Sequence, residues 1–209
     1  MNDRLLAVAS LVDGRSVIDI GCDHGYLSIY LSQKGINCLA TDISDHCINK
    51  AINNFNKYNV SIDTKVTDGL NGIDTSLYDT IIISGMGTHT ILKILKAKEL
   101  TDTLVISSNN NIELLRKEIT KLGYYIDNEL YTKENNQKYI IIRFKKGHKE
   151  YTDLDYLIGP ILKYNKQYIN DSINEYKSII DRIGSNDPKR TKKLNSYIDL
   201  LKKDILKTI

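Results

Sequence analysis

The chain has 209 residues, 41% of them hydrophobic, with twelve glycines, two prolines, three cysteines and a formal charge of +3. That length allows one large domain, or a medium domain with an appendage, and the composition is that of a globular chain rather than a disordered one. The opening "MNDRLLAVASLVDGR" lacks the apolar core of a secretory signal, no run reaches the roughly 18 apolar residues of a membrane span, and Cys22, Cys38 and Cys47 form no Cys-x-x-Cys pair, so a reducing cytoplasm with no membrane partner is expected.

From residue 17 the pattern alternates strand and helix. "SVIDI" is a short β-branched run ending at Gly21, and "YLSIYLSQKG" follows with apolar residues at helical spacing and Gly35 as a stop. "INCLATD" is a second strand ending at Asp42, followed by a helix with Ser44 as its N-cap. "IDTKVTD" is a third strand, ending at Asp68. "YDTIIISG" is an unbroken apolar run of the kind a doubly covered central parallel strand requires. "THTILKILKAKEL" is a helix, "DTLVISS" a fifth strand and "NIELLRKEITKLG" another helix. Two further strand-like runs joined by "KENNQ" form an antiparallel hairpin. The expected fold is α/β: five strand–helix units closed by a hairpin into a seven-stranded, Rossmann-like sheet over residues 1–150.

Residues 151–209 read as purely helical. Leu154, Ile158, Ile161, Asn165 and Tyr168 step by fours and threes, and the seam resumes at Ile169, Ile173, Tyr176, Ile180 and Ile183. Asp187 before Pro188 is a helix start, and Leu194, Ile198, Leu201 and Ile205 carry a second seam. A two-helix, antiparallel, coiled-coil-like hairpin is expected. Residues 1–150 hold 18 basic and 18 acidic side chains, whereas 151–209 hold 11 and 8, so the positive excess lies in the helical segment. Its cluster of Lys189, Arg190, Lys192 and Lys193 suits phosphate contacts, although such runs also occur as plain solvated faces.

In an open α/β sheet, ligands sit beyond the carboxyl ends of the strands. Asp23, Asp42 and Asp68 stand at three successive strand ends. The turn Gly21-Cys22-Asp23-His24-Gly25 differs from a dinucleotide fingerprint, because Asp23 stands where the second glycine would approach a pyrophosphate and would repel it. A nucleoside carrying cationic groups would be welcome there, and S-adenosylmethionine is such a ligand. Asp42, 21 residues beyond Gly21, suits ribose hydroxyls, and Asp68 with Gly69 and Leu70 suits the adenine amine. Taken singly, each acid reads better as a loop cap; three at successive strand ends point to a nucleoside site. Cys22, His24, Cys38, His46 and Cys47 match no zinc spacing, and no metal is expected. The central strand ends in "SGMGTHT", where Gly85 and Gly87 let a flat substrate approach the backbone, and the next ends in "SSNNN", where the Asn109 amide offers both a donor and an acceptor to a base edge.

These segments together resemble the bacterial TrmK family, the tRNA (adenine-22-N1)-methyltransferases. The resemblance is carried by "DRLLAVASLV", "VIDIGCDHGYLSIYL", "TDGLNGI", "DTIIISGMGT", "LLRKEITKLGY", the "KY-III" hairpin and "LIGP" at 157–160. Cys22 stands for the family's serine, Gly25 for alanine, Thr88 for glycine, and "SSN" at 107–109 for Gln-Pro-Asn. The resemblance implies a class I methyltransferase domain with a coiled-coil-like tail, S-adenosylmethionine as cofactor and a tRNA D-arm adenine as substrate. The expected cofactor set is Arg4, Asp19, Gly21 and Cys22, with Asp42 and Ile43, with Asp68, Gly69 and Leu70, and with Gly85 and Met86. Asp23 is the candidate proton acceptor, with His24, Tyr26 and Asn109 beside the base. A monomer is expected. The alternative is a methyltransferase for a protein or small molecule, with the helical tail as docking module.

Overall fold

The computed structural model of the chain describes residues 2–96, 100–135, 137–183 and 186–206, with side chains of the last helix described to Lys202. The chain divides into two compact units, Met1–Glu150 and Tyr151–Ile209.

The first unit runs α1 (Asp3–Ser10), β1 (Ser16–Ile20), α2 (Tyr26–Gln33), β2 (Asn37–Asp42), α3 (Asp45–Lys57), β3 (Asp63–Val66), a 3-10 turn (Thr75–Leu77), β4 (Thr80–Met86), α4 (Thr88–Lys96), β5 (Thr103–Ser108), α5 (Ile112–Lys121), β6 (Tyr124–Glu134) and β7 (Gln137–Lys146). The seven strands lie in the order β3-β2-β1-β4-β5-β7-β6. β1 to β5 are parallel, and β7 is antiparallel to both of its neighbours. The order reverses between β1 and β4, and that switch opens a crevice at the strands' carboxyl ends. β4 is covered on both faces, as its apolar run requires: Ile81, Ile82 and Ile83 are fully buried. One face packs Val8 and Leu11 with Val17, Leu27, Ile82, Val105 and Ile141. Beside it on the same face, a second cluster joins Cys22, Ile29 and Ala40 to Ile48, Ala51 and Phe55 of α3. Between α5 and β6, Arg116 and Glu129 form an ion pair at 2.8 Å in which both side chains are wholly buried.

Three elements depart from the expected pattern. "DRLLAVAS" is a helix, started by Asn2, whose side chain accepts from the Leu5 N–H at 3.0 Å. β3 is followed by a loop and a 3-10 turn rather than by a helix, so it is not a full strand–helix unit. The helix expected through Leu100 is described to Lys96, and its continuation through residues 97–99 lies outside the described residues.

The second unit holds α6 (Asp153–Ile158), a 3-10 turn (Leu162–Tyr164), α7 (Lys166–Ile183) and α8 (Pro188–Leu206). The seam expected to be continuous from Leu154 to Tyr168 is broken. Gly159 ends α6 with φ of +106°, and Pro160 has no N–H to continue the helical ladder. Asn165, counted above as a seam position, is instead a cap: its side-chain oxygen accepts from the Tyr168 N–H at 2.9 Å. Beyond it, Ile169 and Ile173 are buried, as are Leu194, Ile198 and Leu201 of α8. The short connection brings α8 back along α7, where Tyr176 meets Tyr197 at 6.0 Å. Asp187 starts α8 as expected, accepting from the Arg190 N–H at 2.9 Å. Gly184, Ser185 and the Ile205 side chain lie outside the described residues.

Candidate active site

The site grows from the turn after β1. Gly21 takes φ of +73°, and the N–H groups of Gly21 and Cys22 both donate to the Thr41 carbonyl, at 2.8 and 2.9 Å. The left-handed backbone is what favours glycine at 21; a Cβ there would also press on Met86 Cε, the mobile end of a flexible side chain. Asp23 follows with φ of +51°, and its N–H donates to Asp42 Oδ2 at 3.2 Å. The other oxygen of Asp42 accepts from the Ser44 N–H at 2.9 Å. Two backbone donors therefore fix the Asp42 carboxylate at the tip of β2. Ser44 caps α3 as expected, accepting from the Cys47 N–H at 3.3 Å.

Beneath this turn, Asp19 is buried and accepts from the Ser28 hydroxyl at 2.7 Å. Burial raises its carboxyl from 3.8 to about 6, against the opposing Ser28 hydrogen bond and with a smaller push from Asp42. Burial first, and then the carboxylates of Asp19 and Asp42, push the Cys22 thiol far above its ordinary range. Asp23 is not the helix cap, since Gly25 takes that place ahead of α2. Its side chain is 68% exposed, with Oδ1 at 3.7 Å from His24 Nε2 and 3.8 Å from Cys47 Sγ. The His24 and Tyr26 rings lie 6.1 Å apart and 27° from parallel, with Tyr26 exposed at the rim.

Across the crevice, Arg4 of α1 donates to Ser84 Oγ at 3.2 Å and lies 5.4 Å from the Tyr139 ring centre. Asn109 leans onto the same strand end: its amide nitrogen donates to the Gly85 carbonyl at 2.6 Å and its backbone N–H to the Met86 carbonyl at 3.0 Å. Thr88 and Ser108, two positions of departure from the family pattern, meet each other, with their hydroxyls 2.9 Å apart and buried. Asn110 caps α4 from the neighbouring loop, accepting from the Thr88 N–H at 3.1 Å, whereas Asn111 precedes α5 with no side-chain cap. The loops after β4 and β5 are thereby tied together.

These groups line a cavity of about 470 Å³ at the switch in strand order, within the range of small-molecule sites. It brings together Arg4, Asp19, Gly21, Cys22, Asp23 and His24 with Tyr26, Asp42, Gly85 and Met86. Asn2, Leu5, Leu27 and Ser84 also line it and were not singled out from the sequence. Asn2 and Leu5 arrive with a helix the pattern did not reveal, whereas Ser84, at the tip of the central strand, was visible in "SGMG". Five expected members do not line it: Asn109, whose amide is bonded to the Gly85 carbonyl, and Ile43, Asp68, Gly69 and Leu70. Ile43 is 70% exposed, Asp68 is exposed, and Gly69 and Leu70 are buried, Gly69 against Ile94. The Thr67 N–H bonds the Asp42 carbonyl at 2.9 Å, which ties the Asp68 loop to the β2 tip but leaves its side chain outside. A larger concavity, about 990 Å³, lies at the strands' amino ends. There Asp79 is committed to the Arg15 and Ser16 N–H groups at 2.7 and 2.9 Å, a structural clasp. The smaller cavity is at the end where such sheets bind ligands.

Lys189, Arg190, Lys192 and Lys193 are exposed in the first turns of α8, with the Lys193 ammonium 5.5 Å from the Tyr197 ring centre. Among the described residues, no helix is long and apolar enough to cross a membrane, and no group of three or more His, Cys, Asp and Glu side chains is placed to hold a metal ion.

A family model described as a methyltransferase domain matches residues 1–142. A protein of Mycoplasma genitalium named "Putative tRNA methyltransferase MG248" is 31% identical over 173 residues, covering 78% of each chain. The structure of M. capricolum TrmK in complex with S-adenosyl-homocysteine superposes with a TM-score of 0.82 at 28% identity, covering 97% of this chain and 96% of that one. The B. subtilis m1A22 tRNA methyltransferase TrmK superposes with a TM-score of 0.79 over 98% of both chains, and at 24% identity that likeness is one of fold.

Proposed function

The chain belongs to the methyltransferase domain family, and on that premise we propose that it is an S-adenosylmethionine-dependent tRNA (adenine-22-N1)-methyltransferase of the cytoplasm, acting on the D-arm. The carrying observation is the switch-point cavity, where Gly21 leaves the floor open and Asp42 is held by two backbone N–H groups. A fixed carboxylate at the tip of β2 suits a ribose diol, and a cavity rimmed by Asp19, Asp23 and Asp42 suits a cationic nucleoside. Likeness to the TrmK–S-adenosyl-homocysteine complex over nearly the whole chain supports the same reading. When bound, the cofactor supplies an electrophilic methyl group on a sulfonium.

The chain's own residues then have defined tasks. Adenine N1 normally faces a pairing partner, so the base must leave its stack to react. Tyr26, exposed at the rim with its ring facing His24, is suited to stack on it. The loops after β4 and β5, tied by the Thr88–Ser108 pair, hold the Asn109 amide beside Gly85 for the base edge. Attack by N1 leaves positive charge on the ring and acidifies the exocyclic amine. Asp23 is suited to stabilise that charge and accept the proton, since its carboxylate lines the cavity and is open to exchange with water. Lys189, Arg190, Lys192 and Lys193 are suited to hold phosphates of the folded RNA. The test is transfer of labelled methyl from S-adenosylmethionine to bulk tRNA, followed by nucleoside mass spectrometry. Labelled 1-methyladenosine is expected, and its absence, or label in protein, refutes the proposal.

A further inference from the structure

Helix α3 meets the turn that carries Asp23 at three points. Cys47 Sγ donates to Asp23 Oδ1 at 3.8 Å. The Asn54 amide nitrogen donates to the His24 carbonyl at 2.9 Å. Gly25, with φ of +71°, lies so close to α3 that a Cβ there would collide with Phe55 Cε1 and sit 3.1 Å from Ala51 Cβ. Two departures from the family pattern thus face this one helix. Gly25 stands where the family has alanine, and Cys22, in place of serine, packs among Ile48, Ala51 and Phe55. The hydrogen bonds close into a ring. Asp42 accepts from the Asp23 N–H through Oδ2 and from the Ser44 N–H through Oδ1. Ser44 Oγ accepts from the Cys47 N–H, and the Cys47 thiol returns to the Asp23 carboxylate. The acid suited to the cofactor's ribose and the acid suited to the departing proton are therefore joined by the first turn of one helix.

Asp23 needs such a hold. Its side chain is 68% exposed, and a carboxylate in water spreads over several rotamers, whereas proton transfer requires one. Cys47 and His24, whose Nε2 lies 3.7 Å away, both touch Oδ1, which leaves Oδ2 to receive a proton. A thiol is a weak donor, so its contribution is to placement rather than to stability. We propose that Cys47 is a positioning residue that orients the Asp23 carboxylate toward the exocyclic amine, with Asn54 fixing the main chain of the same turn. This rests on the function proposed above and adds to it what places the proton acceptor.

The experiment is a double-mutant cycle. Methyl transfer to tRNA gives kcat, and calorimetry gives the affinity for S-adenosylhomocysteine, for Cys47→Ala, Asp23→Ala, the two combined, and Asn54→Ala. Cys47→Ala is expected to lower kcat about three- to tenfold while S-adenosylhomocysteine affinity changes by less than about twofold. Asn54→Ala is expected to lower kcat in the same way. On the Asp23→Ala background, Cys47→Ala should change the residual kcat by less than about twofold, because the group it places is gone. Retained S-adenosylhomocysteine binding reports an intact pocket in each variant. An unchanged kcat in Cys47→Ala overturns the proposal. So do equal losses on both backgrounds, or a loss of cofactor affinity that matches the loss of kcat. Wild-type protein that binds S-adenosylhomocysteine yet methylates no adenine would instead refute the proposed function, and the positioning role with it.

Discussion

Replacing Asp19 by asparagine should remove a loss of stability with rising pH and leave the protein less able to bind its cofactor, and the structure sets the size of the first effect. The carboxyl is buried, and its pKa rises from 3.8 to about 6. Between those values the folded chain holds a proton that the unfolded chain releases. Stability from this group is thus fully present below about pH 4 and is lost as pH rises through about 6. The shift is about 2 pKa units, so the buried carboxylate costs about 3 kcal/mol at pH 8. Asparagine cannot ionise and removes that dependence. Its amide still accepts from Ser28, but it brings donors that cost about 1–3 kcal/mol if no acceptor meets them. That offset does not vary with pH, so the pH dependence isolates the carboxylate. Urea unfolding of wild type and Asp19→Asn at pH 4 and pH 8 should show the difference in stability moving by about 3 kcal/mol in favour of the variant at the higher pH. Parallel stability curves would show that Asp19 ionises as easily in the fold as out of it, and the argument from burial would fail.

Other substitutions separate architecture from chemistry. Gly21→Ala forces a side chain into a left-handed turn against Met86 and should destabilise by about 1–2 kcal/mol from the backbone alone, read by urea unfolding, with loss of S-adenosylhomocysteine binding. Asp23→Ala, at a mostly exposed side chain, should leave the unfolding midpoint unchanged and lower kcat by about 10²–10⁴-fold with cofactor affinity retained; near-normal turnover would remove Asp23 from the mechanism. Arg116→Met strands the buried Glu129 carboxylate and should cost about 3–5 kcal/mol, whereas Arg116→Met combined with Glu129→Leu should recover most of it. Neutralising Lys189, Arg190, Lys192 and Lys193 together should reduce the slope of log K against log salt for tRNA by about 3, and an unchanged slope would dismiss the patch.

Much of this was legible in the residues because it depends on local pattern. The apolar runs ending at Gly21, Asp42 and Gly85 mark three strands, and the order β2-β1-β4 in the folded sheet brings Asp19, Asp42 and Met86 to one cavity. What escaped depends on packing at long range. Helix α1 went unread as an element, and nothing within "DRLLAVAS" says that Arg4 will reach Ser84, 80 residues away, or that Tyr139 of the closing hairpin will support it. Asp68 shows the converse. It stands at a strand end like Asp42, but Asp42 is held by backbone donors from two loops, whereas the chain at Asp68 turns through Gly69 and Leu70, which pack inward and leave the carboxylate at the surface. The helical unit repeats the lesson. Leu154 to Tyr168 keeps helical spacing across Pro160, and spacing alone does not register that proline withholds an N–H or that Asn165 serves as a cap.

The two places where this chain differs from the family pattern beside the reacting end are physically one. A threonine at 88 and a serine at 108 lie 20 residues apart in sequence, yet their hydroxyls form a buried pair that ties the loop after β4 to the loop after β5. Each hydroxyl has one proton, and main-chain carbonyls lie within reach, Met86 at 3.2 Å from Ser108 Oγ and Asn110 at 2.5 Å from Thr88 Oγ1, so one hydroxyl donates to the other and the second donates to its carbonyl. Each hydroxyl keeps a main-chain partner of its own, so what the pair adds is the direct link between the two loops. The pair thus holds Asn109 by hydrogen bonds where the family pattern has a proline, whose ring would restrict the backbone covalently. A rigid loop beside the target base can be reached by either route.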